Sequence, residues 1–372
     1  MKSVLKQFAL ACLLASGAGT HAQDPAGYPG DYDKTIAAAR AEGKVVVYSV
    51  LSNKAAAALV QGFKTRYPGI AVEYDGESGS NEVTDRFTAE LHAGKPSADV
   101  MWSSAMDLQM KLVGDGHAAG YLSPEAARLP AWAVYRDQAW GTTYEPVVFV
   151  YNKRLVAESE APQDRAALAK LLRDQPEKYR GKVTTFDVEK SGAGYMFAAQ
   201  DLRATDSQRG KLDELLQAMG SVGLRQSAGT GEMLTKVNSG EYLIGYNIMG
   251  AYAMSRSTKD LPALGVVLPR DGTQVLTRVM FINRQAAHPN AARLWVDYVL
   301  SKSGQKIIAD ALELYTVRDD VDAERTASKL AQRIGGSARP IPLSLDTAEP
   351  LDPVRQRQAI GHWKAQISAG AR

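Results

Sequence analysis

Residues 44–74 read KVVVYSVLSNKAAAALVQGFKTRYPGIAVEY and contain one complete strand–helix–strand unit. The run Lys44 to Ser49 is apolar and β-branched, the composition of a buried strand. Ser52 and Asn53 are residues that cap helices. Ala56, Leu59, Val60 and Phe63 then fall at i, i+3, i+4 and i+7, on one helical face. Tyr67-Pro68-Gly69 stops that helix, and residues 70–74 form the second strand. A helix between two strands supplies the crossover that parallel pairing requires.

The same rhythm continues on the C-terminal side. Val83, Phe87 and Leu91 mark a helix and residues 98–102 (ADVMW) a third strand. A helix then starts with Ser104 as cap and Asp107 three residues on. Near Trp140 the pattern gives way to a long extended run over 147–151. A second α/β set follows, with a strand at 182–186, the turn Ser191-Gly192-Ala193-Gly194 and a helix from about Tyr195. A helix at 232–237 and strands at 242–246 and 264–268 complete it. Another extended run at 275–282 precedes a helix with Ala292, Trp295, Val296 and Val299 on one face. Two α/β sets separated by extended runs predict an α/β protein of two lobes with a hinge of crossing strands. The expected boundaries are 23–142 plus about 269–300 for the first lobe, and 143–268 plus about 301–372 for the second.

Composition supports this size. The chain has 372 residues, too many for a single small module, and 45% hydrophobic content, enough to fill sizeable cores. Lys and Arg number 44 against 41 acidic residues, with no basic stripe, so nucleic acid is not expected as a partner. The single cysteine, Cys12, excludes an intramolecular disulfide framework and any CxxC motif.

Lys2 and Lys6, the apolar run 8–15 and the small residues ending at Ala22 have the three-part layout of a cleavable secretory signal. The run is too short to span a bilayer, and no later stretch is long and uncharged enough to do so, so no membrane insertion is expected. Cleavage after Ala22 leaves a chain without cysteine, which suits an oxidising compartment such as the periplasm.

Several segments together carry a resemblance. KVVVYS, the helix ending in RYPGI, and ADVMWSSAMDLQMKLVGDG are followed by WGTTYEPVVFVYNK, GEMLTKVNSGEYLIGYNIMGAYA and HPNAARLWVDYVLSKSGQKIIAD. In this order and spacing, from about residue 40 to about 315, the chain resembles the periplasmic solute-binding proteins of ABC importers. The closest branch is the family-1, ferric-ion-binding-like group. The resemblance implies the type II bilobal fold, a small-molecule ligand held in a cleft that closes by hinge motion, and an inner-membrane ABC permease as partner. A monomer is expected. The ferric members hold iron with a side-by-side tyrosine pair, often helped by a His and a Glu. Here Tyr242, Tyr246 and Tyr252 are separated, and the loop 50–53 carries neither His nor Glu. Ferric-ion binding therefore remains an alternative.

In open α/β sheets, ligands sit at the carboxyl ends of strands. Four loops there are rich in small hydroxyls and glycine: Ser49 with Ser52 and Asn53; Ser103 and Ser104; Ser191, Gly192 and Gly194; Ser227 and Thr230. Several open helices, whose unpaired N–H groups and positive dipole ends attract anions. A phosphate-, phosphonate- or carboxylate-bearing solute fits that chemistry. Tyr246, at a strand end, is a further candidate, while Tyr144, Tyr195, Tyr252 and Arg225 are weaker ones.

Enzyme motifs are sparse. Ser303-Gly304-Gln305-Lys306 spells S-x-x-K without its K-T-G and S-D-N partners, and Gly76 to Ser80 lacks the last glycine of a nucleophile elbow. A Ser-nucleophile hydrolase is the remaining catalytic alternative. The histidines beyond the signal (His92, His117, His288, His362) lack metal-ligand spacing, and neither a Walker A nor a complete GxGxxG occurs. No cofactor is expected.

Overall fold

Two β-sheets, each flanked by helices, share the chain between them. The computed structural model describes residues 28–371, so the export signal read over residues 1–22, Cys12 included, lies outside the described residues. The first sheet has the spatial order Ala71–Asp75, Lys44–Ser49, Val100–Ser103, Val279–Ile282, Ala139–Gly141, Val134–Tyr135. Lys44–Ser49 runs parallel to both neighbours. Its alternating burial places Val45, Val47 and Ser49 inside. The helix after it, Asn53–Arg66, buries Ala56, Leu59 and Phe63, and Ser52 caps it by accepting the Ala55 N–H.

The second sheet runs Arg339–Pro340, Gln274–Leu276, Glu145–Asn152, Ile244–Met249, Val183–Phe186, Arg225–Ser227. Leu264–Val267 is added antiparallel to Glu145–Asn152. Glu145–Asn152 is buried along its whole length, which explains its unbroken apolar run. Among the described residues, no helix is long and apolar enough to cross a membrane.

The lobes are joined where strands pass from one sheet into the other. Ala139–Gly141 continues through Thr142, Thr143 and Tyr144 into Glu145–Asn152. Gln274–Leu276 returns through Thr277 and Arg278 into Val279–Ile282. The run 275–282 is thus two strands in two sheets. The two crossings are laced together: Thr142 N–H donates to the Arg278 carbonyl at 3.0 Å, and Arg278 N–H to Thr143 Oγ1 at 2.9 Å. A third passage lies alongside them, where Thr143 bridges Thr316 and Tyr144 N–H donates to the Tyr315 carbonyl.

The lobe boundaries need correction. The return to the first sheet occurs at residues 277–279, not near 269, because Gln274–Leu276 pairs with Glu145–Asn152 in the second sheet. Helix Lys302–Asp310 belongs with the first lobe, packing on Asn53–Arg66 and on Pro289–Leu300. The chain returns to the first lobe over residues 343–351, where the Leu343 N–H donates to the Trp132 carbonyl and Leu345–Thr347 packs on Met106–Gly114. It then ends on the second lobe as helix Pro353–Gly370, packed against Asp206–Ser221. Trp102, Trp140 and Trp295 fill the first lobe's core, and Tyr179, Tyr246 and Trp363 that of the second.

Candidate functional site in the interlobe cleft

Six helices begin at the gap between the lobes. From the first lobe come Asn53–Arg66, Ser80–His92 and Met106–Gly114; from the second, Gly192–Leu202, Thr230–Ser239 and Gly250–Lys259. Ser52 and Ser191 cap the first helix of each set with their hydroxyls. The other four start at Gly79, Ala105, Gly229 and Met249 with no side-chain cap. First-turn N–H groups have no partner within their own helix, so an uncapped start leaves them for water or a ligand; the start of Met106–Gly114 is the exception, because its Met106 N–H donates to the Ser104 carbonyl and its Leu108 N–H to Asp107 Oδ1.

The gap has two chambers that share Gly79, Ser80, Ser104 and Met249. One, of about 590 Å³, runs between the starts of Met106–Gly114 and Gly192–Leu202. The other, of about 950 Å³, runs between the starts of Asn53–Arg66 and Gly250–Lys259 and reaches the hinge at Glu145 and Arg278. These volumes suit a small solute. At the hinge, Arg278 Nε lies 3.0 Å from Glu145 Oε1, and Thr143 Oγ1 donates to that same oxygen at 2.8 Å. In the smaller chamber Asp107 is only 5% exposed. Burial pushes its carboxyl up to about 6, opposed by hydrogen bonding from the Leu108 N–H to Oδ1.

The family profile described as bacterial extracellular solute-binding protein matches residues 58–333. The chain belongs to the bacterial extracellular solute-binding proteins. A substrate-binding protein of an ABC transporter from Agrobacterium tumefaciens is 35% identical, with 87% of this chain and 94% of that one covered and a TM-score of 0.77. Two further solved structures are iron-bound HitA from Pseudomonas aeruginosa (17% identity, 87% and 99% covered, TM-score 0.67) and apo ferric ion-binding protein A from Pasteurella haemolytica (18%, 88% and 96%, 0.64). At that identity they show the fold alone, that of type II periplasmic binding proteins. No match is found among curated protein sequences. Family and fold are those of transport binding proteins rather than enzymes.

In this solute-binding protein, four of the hydroxyl-bearing residues singled out in the sequence line the cleft: Ser52, Ser104, Ser191 and Thr230. Gly192 lines it with backbone. The others stand just behind. Ser49 and Ser103 are buried, accepting the N–H groups of Leu51 and Ala105. Asn53 Oδ1 accepts the Gly76 N–H, and the Ser227 hydroxyl bonds Glu232 beside the wall residue Ala228. Gly194 is a packing glycine, since a Cβ there would fall 2.2 Å from Phe186 Cβ.

Tyr246 lies away from the cleft. It is fully buried in the second lobe, where its hydroxyl accepts from Arg165 Nε at 3.1 Å and donates to Asp201 at 3.3 Å. Tyr144 packs on Trp132 behind the hinge, and Arg225 is exposed at the edge of the second sheet. Tyr195 lines the smaller chamber and its hydroxyl donates to the Pro350 carbonyl at 2.5 Å; Tyr252 lines the larger chamber.

Sequence reasoning missed Arg278, Glu145 and Asp107 as cleft residues. Arg278 had a legible signal, as the lone charge within the apolar run 275–282. Asp107 was assigned to a capping box, but the helix starts at Met106 and Ala105 provides no side-chain cap.

Proposed function

We propose that this protein captures a small anionic solute, bearing a phosphate, phosphonate or carboxylate, in the interlobe cleft and delivers it to an ABC permease. The observation that carries this reading is the convergence of six helix N-termini from both lobes on one gap, three of which, starting at Gly79, Gly229 and Met249, have no side-chain cap. Such termini combine free N–H donors with positive dipole ends. Ser52, Ser104, Ser191 and Thr230 add hydroxyls, and closure about the crossings at residues 142–144 and 277–278 would bring the two sets of donors onto one anion. In this reading residues 1–22 direct export to the periplasm, where the protein works as a monomer. Delivery to an ABC permease is supported by the Agrobacterium tumefaciens relative, itself the substrate binding protein of an ABC transporter.

The test is native mass spectrometry of gently purified protein, to weigh any co-purified solute, followed by calorimetry and small-angle scattering with that solute. A bound anion, a raised melting temperature and a smaller radius of gyration are expected. Ferric-ion binding is the competing outcome. It would show as a phenolate-to-iron absorption band with Fe(III), lost on Tyr252→Phe or Tyr195→Phe. Among the described residues no group of three or more His, Cys, Asp or Glu side chains is placed to hold a metal ion.

A further inference from the structure

The two chambers of the cleft carry opposite charge. The smaller presents Asp107, Glu82 and Glu189 against one cation, Lys190. The larger presents Lys54, Lys259 and Arg278 against one carboxylate, Glu145. Some of these charges are already satisfied: Glu189 pairs with Lys364, Lys190 with Asp187, and Lys259 with Glu313. Among the described residues, Asp107 and Glu82 on one side and Lys54 on the other make no ion pair.

Asp107 is the most telling of the three. Its side chain is more than nine-tenths buried and borders the cavity; it accepts backbone N–H groups at the start of its own helix and makes no ion pair. A carboxylate held out of water without a counter-charge is costly, and a cationic group entering the chamber would supply one. Tyr195 lines the same chamber.

We propose that the solute is a zwitterion, with its ammonium group in the smaller chamber against Asp107 and its anionic group toward the larger chamber. This rests on the anionic reading above and narrows it to solutes that carry both charges. A simple anion would leave Asp107 unpaired, and a simple cation would leave the uncapped helix starts and Lys54 unanswered.

The test uses matched pairs of probes that differ only in the amine: phosphoethanolamine with ethyl phosphate, and 4-aminobutyrate with butyrate. Calorimetry should show the amino member of at least one pair binding about tenfold or more tighter, the size of one charge-assisted contact. Asp107→Asn should abolish the preference of the amino member over its amine-free partner, so that the two bind alike. In the unmutated protein the same ratio should shrink as pH falls below about 6, where Asp107 takes up its proton; this readout needs no variant. Equal binding of both members, or a preference that survives Asp107→Asn, overturns the zwitterion and leaves the anionic reading standing. Binding of no member of either pair overturns both readings.

Discussion

Trp102 Nε1 donates a 2.8 Å hydrogen bond to Thr142 Oγ1, and that hydroxyl donates in turn to the Arg278 carbonyl at 2.9 Å. One buried chain of hydrogen bonds therefore ties the end of a first-lobe strand to both crossings of the hinge. Neither Trp102 nor Thr142 is exposed to solvent. The hydroxyl is the sole link between the indole and the hinge among the described residues.

Thr142→Val keeps the shape and removes that link, leaving a buried indole N–H without an acceptor. The expected loss is about 1–3 kcal/mol of unfolding free energy, with Thr142→Ser close to the unmutated protein. Urea denaturation of the three proteins measures it, and equal midpoints for Val and Thr would show the hydroxyl to be dispensable.

Ser191 caps helix Gly192–Leu202 through the Gly194 N–H at 3.2 Å and also lines the cleft. Ser191→Ala should cost about 1 kcal/mol of stability from the cap alone. It should also weaken a charged solute by roughly ten- to a hundredfold, the loss of one hydrogen bond to a charged group. Ser303 bonds the Ser301 hydroxyl on the far side of the first lobe and borders neither chamber of the cleft. Ser303→Ala should leave affinity unchanged, and an equal drop in both variants would count against a role for Ser191 in the cleft.

Asp107 makes stability depend on pH in a direction unusual for a carboxylate. Its folded pKa is raised from 3.8 to about 6, so the folded state keeps the proton where the unfolded chain has released it. Stability from this group is greatest below about pH 4 and falls as pH rises to about 6. The full cost, on the order of 2–3 kcal/mol, is present at neutral pH. Asp107→Asn should therefore melt higher than the unmutated, solute-free protein at pH 8 and equally at pH 4. A gap that stays constant from pH 4 to pH 8 would contradict this account.

Asp297 is also buried and pushed up to about 6, yet it is surrounded by donors: the hydroxyls of Tyr32, Tyr121 and Ser123, each at 2.6 Å. Tyr32 belongs to helix Tyr32–Glu42, which packs on Pro289–Leu300. Tyr32→Phe removes one hydrogen bond to the carboxylate and should cost about 1.5–3 kcal/mol. Hydrogen exchange should show the added opening concentrated in the Tyr32–Glu42 helix rather than across the second lobe.

Local pattern was enough for the elements that bury one face. Lys44–Ser49 and the helix with Ala56, Leu59 and Phe63 fall where their periodicity puts them. The helix after Ser191 begins earlier than expected, at Gly192, because its glycines are tolerated in a first turn that Ser191 caps. Pattern failed where one run serves two sheets: nothing in 275–282 marks Thr277 and Arg278 as the place where the chain changes lobe. The site was legible where a short hydroxyl stands at a helix start, as at Ser52 and Ser191. Tyr246 illustrates the opposite case, since a strand end can face the lobe's own core, and there Arg165 and Asp201 occupy its hydroxyl. Asp107 matters through what surrounds it in space, which spacing along the chain does not encode.

The strand Val279–Ile282 sits between Val100–Ser103 and Ala139–Gly141, neighbours that precede it by more than a hundred residues. A chain delivered N-terminus first thus presents two halves of an open sheet, with the middle missing until residues 145–276, which supply most of the second sheet, have followed. Closing that gap requires ordering a long intervening loop, the kind of non-local pairing that slows folding. Until then the apolar faces of Val100–Ser103 and Ala139–Gly141 have no partner between them. Assembly of the first lobe therefore waits on a strand made long after its neighbours, and the first hundred or so residues cannot close their sheet on their own.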